Sequence, residues 1–241
     1  MANKALTGKH RFVEFDEDAI RKRVKSMVDY RKAVDVKNAH VKLSYGNRKT
    51  TALVPSVSLI PVADCRNCTA CSRGCYDVRN DCYLPTVQKS RANNSAIVHE
   101  DMERYFEEIE SAVKFLRFFR WHVGGDILNF WYWEHMVYIA KVTPTCEFLV
   151  FTKMFAIVNH WLNEGNELPK NLHVIFSDWR GQEMYNPHNL PVSSPLWEDG
   201  TTGSYVTENR FVCPGNCSEC AEVNGGCWGA KKGDTILFEA H

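Results

Sequence analysis

The stretch FFRWHVGGDIL, residues 118–128, places an aromatic and β-branched run directly before a Gly-Gly-Asp turn. A run of this composition predicts a short buried strand, and the two glycines predict where that strand ends. It is preceded by NSAIVHEDMERYFEEIESAVKFLRFF, residues 94–119, whose apolar residues recur at helical spacing with Ser95 as the predicted N-cap. The first unit of the predicted fold is therefore a long helix that leads into a buried strand.

Further helices and strands alternate around this unit. Helical patterns follow at residues 130–144 and 155–165, and nearly continuous apolar strands follow at residues 146–154 and 171–179. Upstream, ALVPSVSLIPV, residues 52–62, is predicted to be extended because it is rich in β-branched residues and interrupted by two prolines. Strand and helix alternating at this pitch predict βαβ units, and hence a parallel sheet with helices packed on it.

Four cysteines crowd into DCRNCTACSRGCY, residues 64–76, which we call the first cysteine loop. Their spacing reads C-x2-C-x2-C-x3-C, the run with which bacterial ferredoxins bind [4Fe–4S] clusters, although Tyr76 stands where those proteins usually carry proline. Three cysteines at successive two-residue gaps suit a compact cluster wrapped by one loop. The predicted metal ligands of this loop are Cys65, Cys68, Cys71 and Cys75.

A second set of four cysteines lies in FVCPGNCSECAEVNGGCWG, residues 211–229, and we call it the closing cysteine group. Its spacing reads C-x3-C-x2-C-x6-C, and its first three cysteines reproduce the spacing of radical S-adenosylmethionine enzymes. A second cluster or a zinc ion fits these thiols, because zinc also accepts sites of four thiolates. For both cysteine sets the spacing favours iron–sulfur, and zinc is the alternative. The predicted ligands here are Cys213, Cys217, Cys220 and Cys227.

Charge and hydropathy narrow the classes of partner. The chain of 241 residues carries 29 Lys and Arg against 29 Asp and Glu, which gives no overall electrostatic argument for nucleic acid. The basic patch in residues 16–34 is interpreted as the solvated face of an amphipathic helix. No stretch approaches the ~20 apolar residues of a membrane span, and the N-terminus lacks a secretory signal. We therefore expect a cytoplasmic protein with reduced thiols, in which Cys146 is a buried small hydrophobe.

Polar residues recur where the predicted strands end. His122 and Asp126 follow the aromatic run of the first quoted stretch, and Lys153 follows the next apolar strand. Asp178 follows the strand after that. Because ligands of parallel α/β folds collect at the carboxyl ends of strands, these four residues are the predicted catalytic residues.

Three stretches resemble a family of phage and prophage proteins called gene product 88. They are LSYGNRKT (residues 43–50), the first cysteine loop ending in CY, and RWHVGGDI (residues 120–127) followed by FTK. The resemblance covers residues 41–180, and the closing cysteine group also fits it.

The order of elements also looks like the partial barrel of radical S-adenosylmethionine enzymes, in which a cysteine loop follows the first strand and a Gly-Gly-acid element ends the second. This resemblance implies that Gly124, Gly125 and Asp126 contact the amino group of S-adenosylmethionine. The gaps in the first cysteine loop run two, two and three residues, whereas that superfamily has gaps of three and two.

Together, these patterns predict an α/β protein with a parallel-sheet partial (TIM-like) barrel, helices outside and two cysteine-rich loops. Its predicted parts are an N-terminal helical segment at residues 1–40, a core with the first cysteine loop at residues 41–190, and a cysteine-rich segment at residues 191–241 that packs on the core.

The predicted function is that of an iron–sulfur protein of phage type, and an enzyme is favoured. One [4Fe–4S] cluster, or two, would serve redox or radical S-adenosylmethionine-like chemistry on a small-molecule or nucleotide substrate. The alternative is a zinc-stabilised binding module that contacts nucleic acid or a host protein. No membrane partner is expected, and the location is the host cytoplasm if the protein is phage-encoded.

Overall fold

A computed structural model describes residues 17–46, 53–66, 75, 85–197 and 199–238. Their strands form one parallel sheet of seven strands. The strands are β1 (Ser56–Val57), β2 (Phe118–Trp121), β3 (Glu147–Thr152), β4 (Leu172–Ser177), β5 (Val192–Pro195), β6 (Arg210–Val212) and β7 (Thr235–Phe238).

The sheet order is β1-β2-β3-β4-β5-β7-β6. Strands β1 to β5 lie side by side in chain order; helices connect β1 through β4, as in successive βαβ units of one hand, and a segment without a helix connects β4 to β5. The final strand, β7, then inserts between β5 and β6. Because all the strands are parallel, their carboxyl ends lie along one edge of the sheet, which we call the carboxyl edge.

The helices surround this sheet in two groups. The long ones are α1 (Glu17–Lys32), α2 (Pro85–Glu100), α3 (Met102–Val113), α4 (Phe130–Val142) and α5 (Phe155–Asn163). The closing cysteine group lies on two short elements, α6 (Cys217–Glu222) and a 3-10 helix (Gly226–Gly229).

Helices α2 to α5 cover one side of the sheet, the helix-covered face. Side chains of successive strand residues point to opposite faces, so Phe119, Phe148 and Val174 contribute to this side. They pack with Ile109 of α3 and Trp133 of α4 in one large apolar core. Helix α1 lies further out, on α2, where Met27 packs against Ala92.

The next residues along the same strands point to the other side, which we call the cysteine-covered face. Phe118, Leu149 and Ile175 form a smaller apolar cluster there with Trp228 of the 3-10 helix. Three residues of the closing cysteine group, Cys213, Cys220 and Cys227, pack against this cluster. The C-terminal segment therefore covers the face that the long helices leave open.

The structure confirms the α/β class, the parallel sheet and the helices outside it. The predicted partial (TIM-like) barrel is not confirmed, because β1 and β6 lie at opposite edges of an open sheet and do not pair in the described residues. The predicted helix over residues 94–119 is helical in large part but is not one helix, because its first residues belong to α2, residues 102–113 form α3 and Phe118 and Phe119 belong to β2. The chain breaks at Asp101, whose carboxylate caps α3 by accepting from the Arg104 amide at 3.1 Å. Ser95, the predicted N-cap, lies buried within α2.

Candidate functional site

The Gly-Gly-Asp turn after β2 packs against the loop after β1. The Leu59 amide donates to the Gly124 carbonyl oxygen at 2.8 Å. Gly125 has a φ of +86°, and a Cβ at this position would lie 2.6 Å from the Cβ of Leu59. Only glycine fits this conformation and this close approach. The turn that the sequence singled out is therefore needed to bring two strand ends together.

Asp126 joins its own turn to the end of β3 through its buried carboxylate. One oxygen, Oδ1, accepts from the Thr152 hydroxyl at 2.6 Å and from the Ile127 amide at 2.8 Å. The other, Oδ2, accepts from the Lys153 amide at 2.8 Å. Burial raises the pKa of Asp126, and the Thr152 hydrogen bond opposes that rise. The Asp126 carboxylate and the Lys153 backbone therefore lie together at this edge, and the catalytic role predicted for the two residues stays a prediction.

Asp64, directly before the first cysteine, is a residue that the sequence analysis missed. Its carbonyl oxygen accepts from the Asp126 amide at 3.0 Å, and its carboxylate accepts from the Ile60 amide at 2.9 Å. The same carboxylate, only 1% exposed, lies 2.9 Å from His99 Nε2 and 3.5 Å from Arg31 Nη1. A buried carboxylate requires such partners. The sequence signal is an acid next to Cys65, and the partners come from α1 and α2.

His122 lies in the core beneath the carboxyl edge. It is 3% exposed, and its Nε2 lies 2.8 Å from the hydroxyl of Tyr132, which in turn lies 3.2 Å from the hydroxyl of Tyr105. Burial lowers the pKa of His122 to about 3. The imidazole is therefore neutral at physiological pH, and its Nδ1 has no hydrogen-bond partner among the described residues.

Asp178 ends β4 in a second polar cluster. Its Oδ2 accepts from the Tyr205 amide at 2.8 Å, and the backbone of Gly203 approaches this carboxylate so closely that a side chain there would collide with it. Burial raises the pKa of Asp178, whereas the Tyr205 hydrogen bond and the positive charge of Lys153 lower it. The Lys153 ammonium lies 5.6 Å from the centre of the Trp179 ring. Lys153 thus lies between the Asp126 cluster and the Asp178 cluster.

The first cysteine loop lies only partly within the described residues. Cys65 and Cys75 are half-buried and not disulfide-bonded. Cys68 and Cys71 fall outside the described residues, so their predicted role as ligands stays a prediction. What the structure does place is the entry to the loop, because Asp64 holds it at the carboxyl edge.

The closing cysteine group lies on the cysteine-covered face. Burial raises the pKa of the Cys220 thiol to about 11, with further contributions from the nearby Cys213 and Cys217. Burial also raises the pKa of Cys227, and the charge of Arg120 opposes that rise. The four cysteines are thus close enough to influence one another electrostatically. Among the described residues, however, no three His, Cys, Asp or Glu side chains are placed as ligands of one metal ion.

These features define an open, parallel α/β protein with a polar cluster at the carboxyl edge and cysteines on the opposite face from its long helices. Residues 29–193, more than half of the chain, match the family model described as gene product 88, and the protein belongs to that family. The match ends before the closing cysteine group. No curated protein and no solved structure matches the chain. None of the helices in the described ranges is long and apolar enough to cross a membrane.

Proposed function

We propose that this protein is an iron–sulfur enzyme that binds a [4Fe–4S] cluster with the first cysteine loop at the carboxyl edge. One observation carries the proposal. The hydrogen bond of 3.0 Å from the Asp126 amide to the Asp64 carbonyl oxygen joins the residue before Cys65 to the Gly-Gly-Asp turn. The predicted cluster loop thus begins beside the predicted ligand-binding turn. A bound cluster would supply one-electron chemistry at this edge.

The residues of the edge have distinct roles in this proposal. Asp126 is a positioning residue, since its carboxylate is already held by three donors from its own turn and from the end of β3. Lys153 presents a cation beside Asp178, which supports a small-molecule or nucleotide substrate that carries an anionic group. His122 is neutral and buried, which supports a hydrogen-bonding role rather than proton exchange with solvent.

S-adenosylmethionine is the more specific version of this proposal. The backbone of Gly124 and Gly125 is held close to Leu59, and Asp126 Oδ2 accepts one hydrogen bond from the described residues. A carboxylate oxygen can accept a second one, so an amino group fits that position.

Anaerobic reconstitution with iron and sulfide tests the proposal. We expect about four iron and four sulfide per cluster, a brown colour and broad visible absorption. Replacement of Cys65 and Cys75 by serine should remove the iron, the sulfide and the absorption of this one cluster, whereas the matched change Cys146→Ser, on the helix-covered face, should leave them unchanged. A colourless protein that holds stoichiometric zinc in the first loop would overturn the proposal.

S-adenosylmethionine binding has its own measurement. If the ligand binds at the Gly-Gly-Asp turn, it should alter the electron paramagnetic resonance spectrum of the reduced cluster. Asp126→Asn should weaken that change, because the amide lacks the charge that attracts an amino group. An unaltered spectrum at saturating ligand would leave direct cluster-based redox or sulfur chemistry as the mechanism to pursue.

The geometry of α1 does not favour nucleic acid as the partner. Two of its exposed cations are paired along the helix, with Arg21 at 3.3 Å from Glu17 and Lys25 at 2.6 Å from Asp29. Such i, i+4 pairs offset part of the positive charge that nucleic-acid binding would need.

A further inference from the structure

The closing cysteine group lies where the sheet lacks ordinary apolar cover. Helix α6 has six residues and the 3-10 helix has four, and of these Ala221 and Trp228 are the apolar residues that are fully buried. On the opposite side, four longer helices contribute a much larger set of apolar side chains. This connection between β6 and β7 is held in the sheet at its two ends, but it buries little hydrocarbon of its own, and small structures with little core usually gain stability from a cross-link or a metal.

Trp228 fixes the position of this segment. Its ring packs edge-on against Phe118 of β2 with centroids 5.2 Å apart, and it also contacts the ring of His173 in β4. Its indole N–H donates to the Cys217 carbonyl oxygen at 3.3 Å. The residue that anchors the segment to the sheet is therefore bonded directly to the cysteine-bearing helix.

The backbone around the thiols is closed tightly. Gly226 has a φ of +56°, and a Cβ there would lie 2.8 Å from Cys220 Sγ. The Gly215 amide donates to Cys213 Sγ at 3.4 Å. Amide-to-sulfur hydrogen bonds stabilise thiolates, which are the form of cysteine that binds metals. Gly226 thus leaves space for the Cys220 sulfur, and Gly215 supplies a hydrogen-bond donor to the Cys213 sulfur.

A charged residue of the sheet faces the same thiols. Arg120, in the middle of β2, donates from Nη1 to Cys217 Sγ at 3.8 Å, and its guanidinium stacks 5.0 Å from the centre of the Phe151 ring. A fixed cation against clustered thiols offsets the negative charge that several thiolates would bring into a half-buried site.

We propose that the closing cysteine group holds a thiolate-ligated metal centre that fastens the C-terminal segment to the cysteine-covered face, with Arg120 as its positioning and charge partner. Among the described residues no three His, Cys, Asp or Glu side chains are placed as ligands of one metal ion, so metal binding requires the thiols to turn about their Cα–Cβ bonds. This centre is structural, lies outside the residues of the family match and does not depend on a cluster in the first loop. A zinc ion and an iron–sulfur cluster share the required thiolate chemistry.

The test uses the full chain with the first loop disabled, in which Cys65, Cys68, Cys71 and Cys75 are all changed to serine. We expect this variant to retain metal. About one zinc per chain would identify a zinc site, and about four iron per chain would identify an iron–sulfur cluster. Cys217→Ser together with Cys227→Ser should then remove it. Absence of metal from the first variant, after reconstitution with zinc and separately with iron and sulfide, would overturn the proposal. Because the first loop is disabled, failure here says nothing about the cluster proposed for that loop.

Chelation of the unmutated protein covers the case in which the double cysteine variant fails to fold. Removal of the metal should increase hydrogen exchange in residues 210–238 more than in α4 and α5. If metal removal leaves hydrogen exchange in residues 210–238 unchanged, the metal does not hold this segment on the sheet.

Arg120 is tested by metal affinity in the same background. Arg120→Gln should weaken cobalt or zinc binding about 10- to 100-fold, the usual cost of removing a residue that supports metal ligands. Arg120→Lys should restore part of that affinity, because it keeps the charge. The matched control is Arg117→Gln, since Arg117 is exposed and its guanidinium lies 5.0 Å from the Phe118 ring. If Arg120→Gln binds metal as tightly as the parent protein, Arg120 does not support the site.

Discussion

The two faces of the sheet are stabilised in different ways. The helix-covered face buries large side chains from the sheet and from four helices, among them Trp121 of β2 and Tyr132 and Trp133 of α4, which are completely inaccessible. The cysteine-covered face has a smaller apolar cluster under short elements, and three cysteines pack on its border. The first face draws its stability from hydrocarbon burial. The second face carries thiols, two tight glycines and an arginine, which are groups suited to holding a metal.

We expect the largest losses of unfolding free energy from alanine substitutions at two adjacent residues of β3, one on each face. Phe148 points into the helix-covered core and Leu149 into the cysteine-covered cluster. We expect Phe148→Ala to cost about 3–5 kcal/mol and Leu149→Ala about 2–4 kcal/mol of unfolding free energy. Urea denaturation with and without a chelator separates the faces, because only the Leu149→Ala cost should depend on metal. Equal metal dependence for both variants would break the comparison.

The carboxyl edge of the helix-covered face depends on one glycine. Gly125→Ala should destabilise the protein by about 3 kcal/mol, since it combines a left-handed backbone penalty with a contact against Leu59. The matched control is Gly165→Ala, at a φ of +85° with nothing within 4 Å of the added Cβ, which should cost about 1 kcal/mol. Chemical denaturation measures both. If the two substitutions destabilise the protein equally, the contact with Leu59 does not restrict the residue at position 125.

Lowering the pH should reduce the free energy of unfolding because His122 is buried as a neutral imidazole in the helix-covered core. The folded protein keeps this imidazole neutral down to a pKa of about 3, whereas the unfolded chain binds a proton near pH 6.5. The unfolded state therefore binds more protons between these values, and stability falls as the pH drops below 6.5. Between pH 6.5 and pH 5 the loss from this residue should be about 2 kcal/mol. His122→Gln should remove that part of the loss, and an unchanged pH profile would contradict the buried, neutral imidazole.

The smallest effect compares single thiols on the two faces. Cys146 is completely buried in the helix-covered core, and Cys146→Ala should cost about 1 kcal/mol without changing metal content. Cys227→Ala should lower metal content. Metal analysis beside thermal denaturation checks both variants, and loss of metal from the Cys146 variant would erase the distinction between structural and ligating thiols.

Local pattern was sufficient for much of the fold. Apolar runs with β-branched and aromatic residues predicted β2, β3 and β4, and helical periodicity predicted α1, α4 and α5. These elements have strong periodicity and clear end signals, so neighbours in sequence decide them. The break at Asp101 was missed because apolar spacing continues across it, and the cap that starts α3 becomes visible only in the hydrogen bond to Arg104.

The sequence by itself determined the α/β class, the parallel sheet, the glycine turn after β2 and the concentration of thiols in two segments. Only the tertiary structure showed that the Asp64 carboxylate lies beside Arg31 and His99, and that Arg120 donates a hydrogen bond to Cys217. Those partners come from separate elements, and no spacing rule connects them. The order of the strands beyond β5 likewise depends on long-range pairing. Strand β7 lies between β5 and β6, and its four-residue sequence alone does not specify that position, because strand pairing depends on the neighbouring strands of the whole sheet.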